Sequence, residues 1–173
     1  MEAFDRLVDE CQRQVFTYAS YLLGRPEDAE DVTQEAFMKL WTHWEELDPD
    51  RVPAWLMRVT RNLCFDRLRH VKVVREHVAD SGEVALGTAP DPGPSPASTA
   101  EGAQLRERLE GALGTLGEPM RSVVLMREVQ GFKYREIAEI LELPLNTVRV
   151  YLHRGRRRIR EHLQELAPAG LGA

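Results

Sequence analysis

Apolar positions in the first seventy residues recur at steps of three and four. Phe4, Leu7, Val8, Cys11, Val15, Tyr18, Ala19, Leu22 and Leu23 fall on one face, the spacing of an amphipathic helix. Gly24 ends that helix, and Pro26 suits the first turn of a second. Glu27, Asp28, Glu30 and Asp31 then complement the positive end of the helix dipole. Ala29, Val32, Ala36, Phe37, Leu40, Trp41 and Trp44 give the second helix its apolar face. Residues 45–52, EELDPDRV, predict a loop, and Pro53 opens a third helix whose core face is Leu56, Val59 and Leu63. Further along, Leu105, Leu109, Ala112 and Leu116 mark a fourth helix, and Pro119 opens a fifth, MRSVVLMREV, closed near Gly131. Residues 134–142 and 145–163 predict a sixth and a seventh. No segment alternates with a period of two, so the fold class expected is all-α.

Between these groups the pattern breaks. Gly87 to Ser98 holds four prolines and two glycines in twelve residues, with no aromatic side chain. Such a stretch cannot build a helix and has too little apolar surface to offset ordering. The expected organisation is therefore two small helical domains, 1–78 (three or four helices) and 101–166 (four helices). A flexible proline-rich linker, 79–100, joins them, and 167–173 is a tail. Fully extended, the linker reaches about 70 Å.

Composition first points away from nucleic acid, because the 173 residues carry 23 basic and 28 acidic side chains, a net charge of −5. Their distribution reverses that impression. Residues 1–70 hold 9 basic and 14 acidic groups, whereas Leu143 to Arg160 contains no acid and six arginines. The minus sign averages an acidic first half with a basic stripe near the end. No apolar run approaches the roughly 20 residues that cross a bilayer, and the acidic N-terminus does not resemble a signal peptide, so a cytoplasmic protein with no membrane insertion is expected. Cys11 and Cys64 lie far apart with no metal-ligand spacing, and two buried thiols are the simpler reading. No cofactor, metal site or nucleophile–base constellation is indicated, so the chain does not read as an enzyme.

Three patterns carry candidate chemistry. About three residues separate the sixth and seventh helices, with Ala138 small enough for a close crossing, and with Asn146 or Thr147 available to cap or start the second helix. Ile137, Leu141, Val148 and Leu152 are placed to pack the crossing, a helix-turn-helix pattern. The second of these helices exposes Arg149, Val150, His153 and Arg154 for a major groove, followed by Arg156, Arg157 and Arg158 for phosphates. The plain alternative is a helical hairpin with a solvated basic face. On the third helix, Trp55, Arg58, Asn62, Asp66 and Arg69 fall at steps of three or four with Arg61 beside them, a combination suited to unpaired bases. Its alternative is a core Trp55 with arginines paired to local acids. On the second helix, Asp28, Asp31, Gln34, Glu35 and Lys39 flank Phe37 and Trp41, a surface suited to a basic protein partner or simply to water.

In order along the chain, the segments DAEDVTQEAFMKLW (28–41), AWLMRVTRNLCFDRLR (54–69) and 116–163 resemble the extracytoplasmic-function (ECF) sigma factors of bacterial RNA polymerase. The resemblance covers nearly the whole chain. It implies that Asp31, Gln34, Glu35, Phe37 and Trp41 dock on the clamp helices of the polymerase's largest subunit. It implies that Trp55, Arg58, Arg61, Asn62 and Arg69, with the loop near residues 48–52, open and read the single-stranded −10 promoter element. It also implies that Arg149, Val150, His153, Arg154 and the arginines at 156–158 bind the double-stranded −35 element, that the linker threads toward the RNA exit path, and that upstream-region subunits of the polymerase and an anti-sigma factor are further partners. The chain departs from the family at Glu142, where glycine is common in the turn, and at Pro144, in place of a frequent serine cap. Val150 and Tyr151 stand where small polar or basic residues are common. The expected function is an alternative sigma factor; the alternative is a stand-alone helix-turn-helix regulator, which would not need the 31/34/35/37 face together with Trp55 and Asn62.

Overall fold

A computed structural model describes residues 2–79 and 100–165 of the chain, and every regular element in them is helical. They divide into two units, Met1–Pro92 and Gly93–Ala173. The proline-rich stretch expected as a linker and the tail lie outside the described residues.

The first unit packs three helices, each against the other two: α1 (Glu2–Leu23), α2 (Pro26–His43) and α3 (Val52–Ala79). Gly24 closes α1 at φ +68°, donating its N–H to Ser20 O at 2.9 Å, in a conformation that side chains rarely adopt. The core is formed by Val15, Tyr18, Ala19 and Leu22 from α1, Ala29, Val32, Ala36 and Leu40 from α2, and Val52, Leu56, Met57 and Cys64 from α3. Each large aliphatic side chain buried there is worth about 1.5–3 kcal/mol relative to exposure.

Three expectations are corrected in this unit. The inward sector of α3 is Val52, Leu56, Met57, Thr60 and Cys64, while Val59 and Leu63 are only half-buried. The helix touches both α1 and α2, so its buried sector is wider than a single stripe and takes in a polar residue. Thr60 is tolerated because its hydroxyl donates to Leu56 O at 2.8 Å; Thr33 in α2 does the same to Ala29 O at 2.6 Å. Trp41, assigned to the apolar face, is instead 58% exposed. Phe4 packs edge-to-face with both Trp41 and Trp44, at 4.9 and 5.1 Å between ring centres. The expected loop is two short 3₁₀ turns, Trp44–Glu46 and Pro49–Arg51, and Asp48 holds the second by accepting the Asp50 N–H at 3.1 Å.

The second unit contains α4 (Ala100–Gly114), α5 (Met120–Val124), α6 (Tyr134–Leu141) and α7 (Leu145–Glu165). Ser122 to Met126 are five consecutive buried residues, so the chain is enclosed on all sides where α5 runs into the turn that follows it. A π-helical turn, Leu125–Val129, extends α5, with Gln130 N–H reaching Leu125 O at 3.1 Å. Of the residues expected to anchor α4, Ala112 and Leu116 are buried, but Leu105 is exposed and Leu109 half-buried. The buried contacts belong to the last turn of α4 and the residues after it.

The turn between α6 and α7 solves the missing-glycine problem directly. Glu142 itself takes the left-handed conformation (φ 54°, ψ 42°). Leu143 N–H bonds to Ala138 O at 2.9 Å and Glu142 N–H to Glu139 O at 3.4 Å, the two bonds of a Schellman turn. A non-glycine residue there costs about 1–2 kcal/mol. Glu142→Gly is therefore expected to raise the stability of this unit by about 0.5–1 kcal/mol after the entropic cost of glycine, read as a higher urea midpoint. Of the two roles expected for Asn146 and Thr147, starting the helix holds and capping it does not: α7 begins at Leu145, with Val148 N–H bonded to Pro144 O at 3.2 Å. Asn146 and Thr147 are thus inside the helix, and Asn146 Oδ1 accepts from Arg149 at 3.4 Å. A second close crossing, unexpected from the sequence, joins α7 to α5: Gly155 lies against α5, where a Cβ would stand 2.5 Å from Val124 Cγ2, while the half-buried Ala138 belongs to the α6–α7 pair.

Candidate functional site

Burial of Val148, Leu152 and Gly155 fixes the rotation of α7, which turns Arg149, Val150, His153 and Arg154 outward. Two of the three arginines that follow are already engaged. Arg156 donates from Nε and Nη2 to Glu128 Oε1 at 2.9 and 2.6 Å, fastening α7 to the π-helical turn. Hydrogen bonding to Glu128 raises the Arg156 guanidinium above its ordinary pKa. Arg157 Nε donates to Glu161 at 2.9 Å, and Arg158 is exposed. Exposed pairs of this kind are worth at most about 1 kcal/mol, so a phosphate can compete for either arginine.

Along α3, the predicted polar residues separate into two groups. Arg61, Asn62 and Arg69 line one shallow concavity, together with Phe65 and Asp66. The Arg61 guanidinium lies 4.7 Å over the Phe65 ring, and Arg69 pairs with Asp66. Arg58 and Trp55, both half-buried, do not line it; Trp55 leans on His43 with 5.7 Å between rings. Phe65 was missed because it falls between the core face and the polar stripe. Its position four residues from Arg61 and three from Asn62 was the available signal.

The acidic residues of α2 are unequal. Arg67 of α3 donates to Asp28 Oδ1 from Nε and Nη2 at 3.0 and 2.8 Å, and from Nη2 to Asp31 Oδ2 at 2.7 Å. These bonds, to Asp28 first and then to Asp31, raise the Arg67 pKa. Asp28 and Asp31 thus tie α2 to α3, a role invisible in the sequence because the partners are 39 and 36 residues apart. Gln34 and Glu35 are exposed, and Glu35 has only an along-helix contact with Lys39 at 3.7 Å. Phe37 is half-buried, while Met38 and Trp41 are 70% and 58% exposed. Gln34, Glu35, Met38 and Trp41 therefore share one open face at steps of three and four.

Cys11 and Cys64 are both buried and unbridged. Burial, then the neighbouring Glu10, raises the Cys11 pKa; burial alone pushes Cys64 up to about 12. Reactive cysteines need the thiolate, so Cys64 is held in its unreactive form at neutral pH. No helix among the described residues is long and apolar enough to cross a membrane. Nor do any three His, Cys, Asp or Glu side chains among them cluster to hold a metal ion.

Residues 7–72 match the family model for sigma-70 region 2, and residues 106–159 match that for sigma-70 region 4. The chain is 31% identical over 163 residues to the ECF RNA polymerase sigma factor SigE of Mycolicibacterium smegmatis, covering 94% of this chain and 62% of SigE's length. It is 32% identical over 162 residues to the ECF RNA polymerase sigma factor SigL of Mycobacterium tuberculosis, covering 92% of this chain and 88% of SigL. Its fold is similar to that of the sigma factor RpoE, solved in complex with the anti-sigma factor NepR from Bartonella quintana. The TM-score is 0.77 at 22% identity, over 95% of this chain and 98% of that one.

Proposed function

The chain belongs to the ECF RNA polymerase sigma factors, alternative sigma factors of transcription initiation, and we propose that it directs core RNA polymerase to a restricted set of promoters and helps to melt them. The observation that carries this reading is the presence in one chain of two unlike surfaces. One is the outward Arg149/Val150/His153/Arg154 stripe of a helix-turn-helix; the other is the open Gln34/Glu35/Met38/Trp41 face of α2. A stand-alone regulator needs only the first.

In this reading residues 1–78 dock on the polymerase and handle the −10 element, 79–100 connect, and 101–166 bind the −35 element. Gln34, Glu35 and Trp41 face the clamp helices, with Phe37 supporting them from below. Asp31 contributes mainly by fixing α2 on α3 through Arg67. The Arg61/Asn62/Phe65/Arg69 concavity accepts an unpaired base, which arginine and aromatic groups bind without needing its paired edge. Arg149, His153 and Arg154 meet base edges, and Arg158 meets phosphates, joined by Arg156 and Arg157 once these exchange their carboxylate partners. Met38 and Trp41 leave apolar area uncovered in the free protein, which supports a second, competing partner, an anti-sigma factor. No catalytic step is assigned to the chain, and a polymerase subunit of this kind works in the cytoplasm.

Run-off transcription with bacterial core polymerase on a promoter library tests the reading. Transcripts that require the chain are expected from a small subset of templates. Specific duplex binding by the chain with no dependent transcript would favour the stand-alone regulator.

A further inference from the structure

Val150 occupies a place on α7 where water-facing packing gives it no purpose. Val148, Leu152 and Gly155 fill the core side of the helix, and Val150 points away from them, 44% exposed. Its neighbours on the outer face, Asn146, Arg149, His153 and Arg154, are all exposed polar or charged residues. A single exposed aliphatic residue is ordinary on a protein surface. This one stands within the first two turns of the second helix of a helix-turn-helix, the stretch that contacts base edges.

The chemistry of the major groove then limits what Val150 can face. Adenine, guanine and cytosine present hydrogen-bonding groups there, and a valine methyl pressed on them would displace water without replacing its bonds. The C5-methyl of thymine is the largest apolar group of the unmodified groove. A β-branched side chain in a helix has a single strongly preferred rotamer, so its two methyl groups are held in place before binding. We propose that Val150 reads a thymine C5-methyl by direct carbon-to-carbon contact, fixing an A·T pair and its strand orientation beside the bases read by Arg149 and Arg154. This rests on the reading of α7 as the −35 helix and adds the base chemistry that the helix selects.

The test uses the full-length chain with core polymerase and a promoter library randomised over the upstream element. One selected position is expected to be thymine on a fixed strand. Replacing that thymine by deoxyuridine removes only the methyl group and is expected to weaken binding about fourfold, the effect of one buried methylene-sized group. Val150→Ser, at an exposed position outside the core, is expected to bind thymine and deoxyuridine templates equally. Equal affinity of the wild-type holoenzyme for both templates overturns the inference, as does an undiminished deoxyuridine penalty in Val150→Ser. Failure to select any upstream sequence overturns the reading of α7 itself and the inference with it. A selected upstream element with no methyl dependence leaves that reading standing and removes only the inference.

Discussion

Changing Gln34 to Ala together with Glu35 to Lys is expected to weaken binding to core RNA polymerase by at least about a hundredfold, without changing the thermal midpoint of the free protein. Both side chains are exposed, and Glu35 has only the loose contact with Lys39 along its own helix, so neither substitution touches the core. Exposed i,i+4 pairs contribute about 0.3–0.5 kcal/mol, too little to register in the fold. At the interface the outcome differs. A lysine placed where a basic partner surface expects a carboxylate sets like charges against each other, which costs several kcal/mol, and about 1.4 kcal/mol is a factor of ten. Asp31 would be a poorer target despite its place in the same motif. Reversing it would leave Arg67 facing a like charge and disturb the α2–α3 junction, mixing loss of docking with loss of structure. Equilibrium binding of fluorescently labelled chain to core polymerase, beside a melt of the free chain, separates the two effects. Unchanged affinity would remove the α2 face from the docking surface.

Gly155→Ala should destabilise the second unit by about 1–2 kcal/mol, although alanine is intrinsically the better helix former by about 1 kcal/mol. The added Cβ would lie 2.5 Å from Val124 Cγ2, 3.4 Å from Met120 Cγ and 3.7 Å from Leu116 Cδ1. Val124 cannot easily yield, because it is buried at the enclosed end of α5 and its branched side chain has one good rotamer there. The helices must move apart or a rotamer must strain. Urea unfolding can assign the loss to the right unit. Trp41, Trp44 and Trp55 all belong to the first unit, so tryptophan fluorescence follows that unit while far-UV circular dichroism follows both. The dichroism transition should move and the fluorescence transition should not. Adding Val124→Ala to Gly155→Ala should recover part of the loss, as coupled neighbours do. A variant at least as stable as wild type would refute the close crossing at Gly155.

The same glycine shows why some features were legible and others were not. The helices were readable because a repeat of three and four apolar residues is a local property, and the ends at Gly24 and near Gly131 followed from backbone sterics. The outward stripe of α7 was readable for the same reason: once Val148 and Leu152 are inside, Arg149, Val150, His153 and Arg154 must be outside. Ala138, small and near the turn, marks the α6–α7 crossing in the sequence alone. Gly155 sits inside an arginine run, and only the packing of α5 against α7 gives it a role. The Asp31 assignment illustrates the complementary limit. Its place in a motif was visible, but its bond to Arg67 was not.

The sequence by itself therefore determined that this protein is helical, that its apolar pattern breaks at a proline-rich stretch, and that three helix faces are candidates for partners. All of that follows from periodicity, composition and the steric rules for proline and glycine, which act over a few residues. The tertiary structure decided which polar residues are free to meet a partner and which are already used. Arg67 holds Asp28 and Asp31, Glu128 holds Arg156, and Arg61 covers Phe65 beside Asn62. Most of these partners lie on different elements, brought within about 3 Å by burial of the cores beneath them, and an ion pair across such a distance in sequence leaves no local pattern to read.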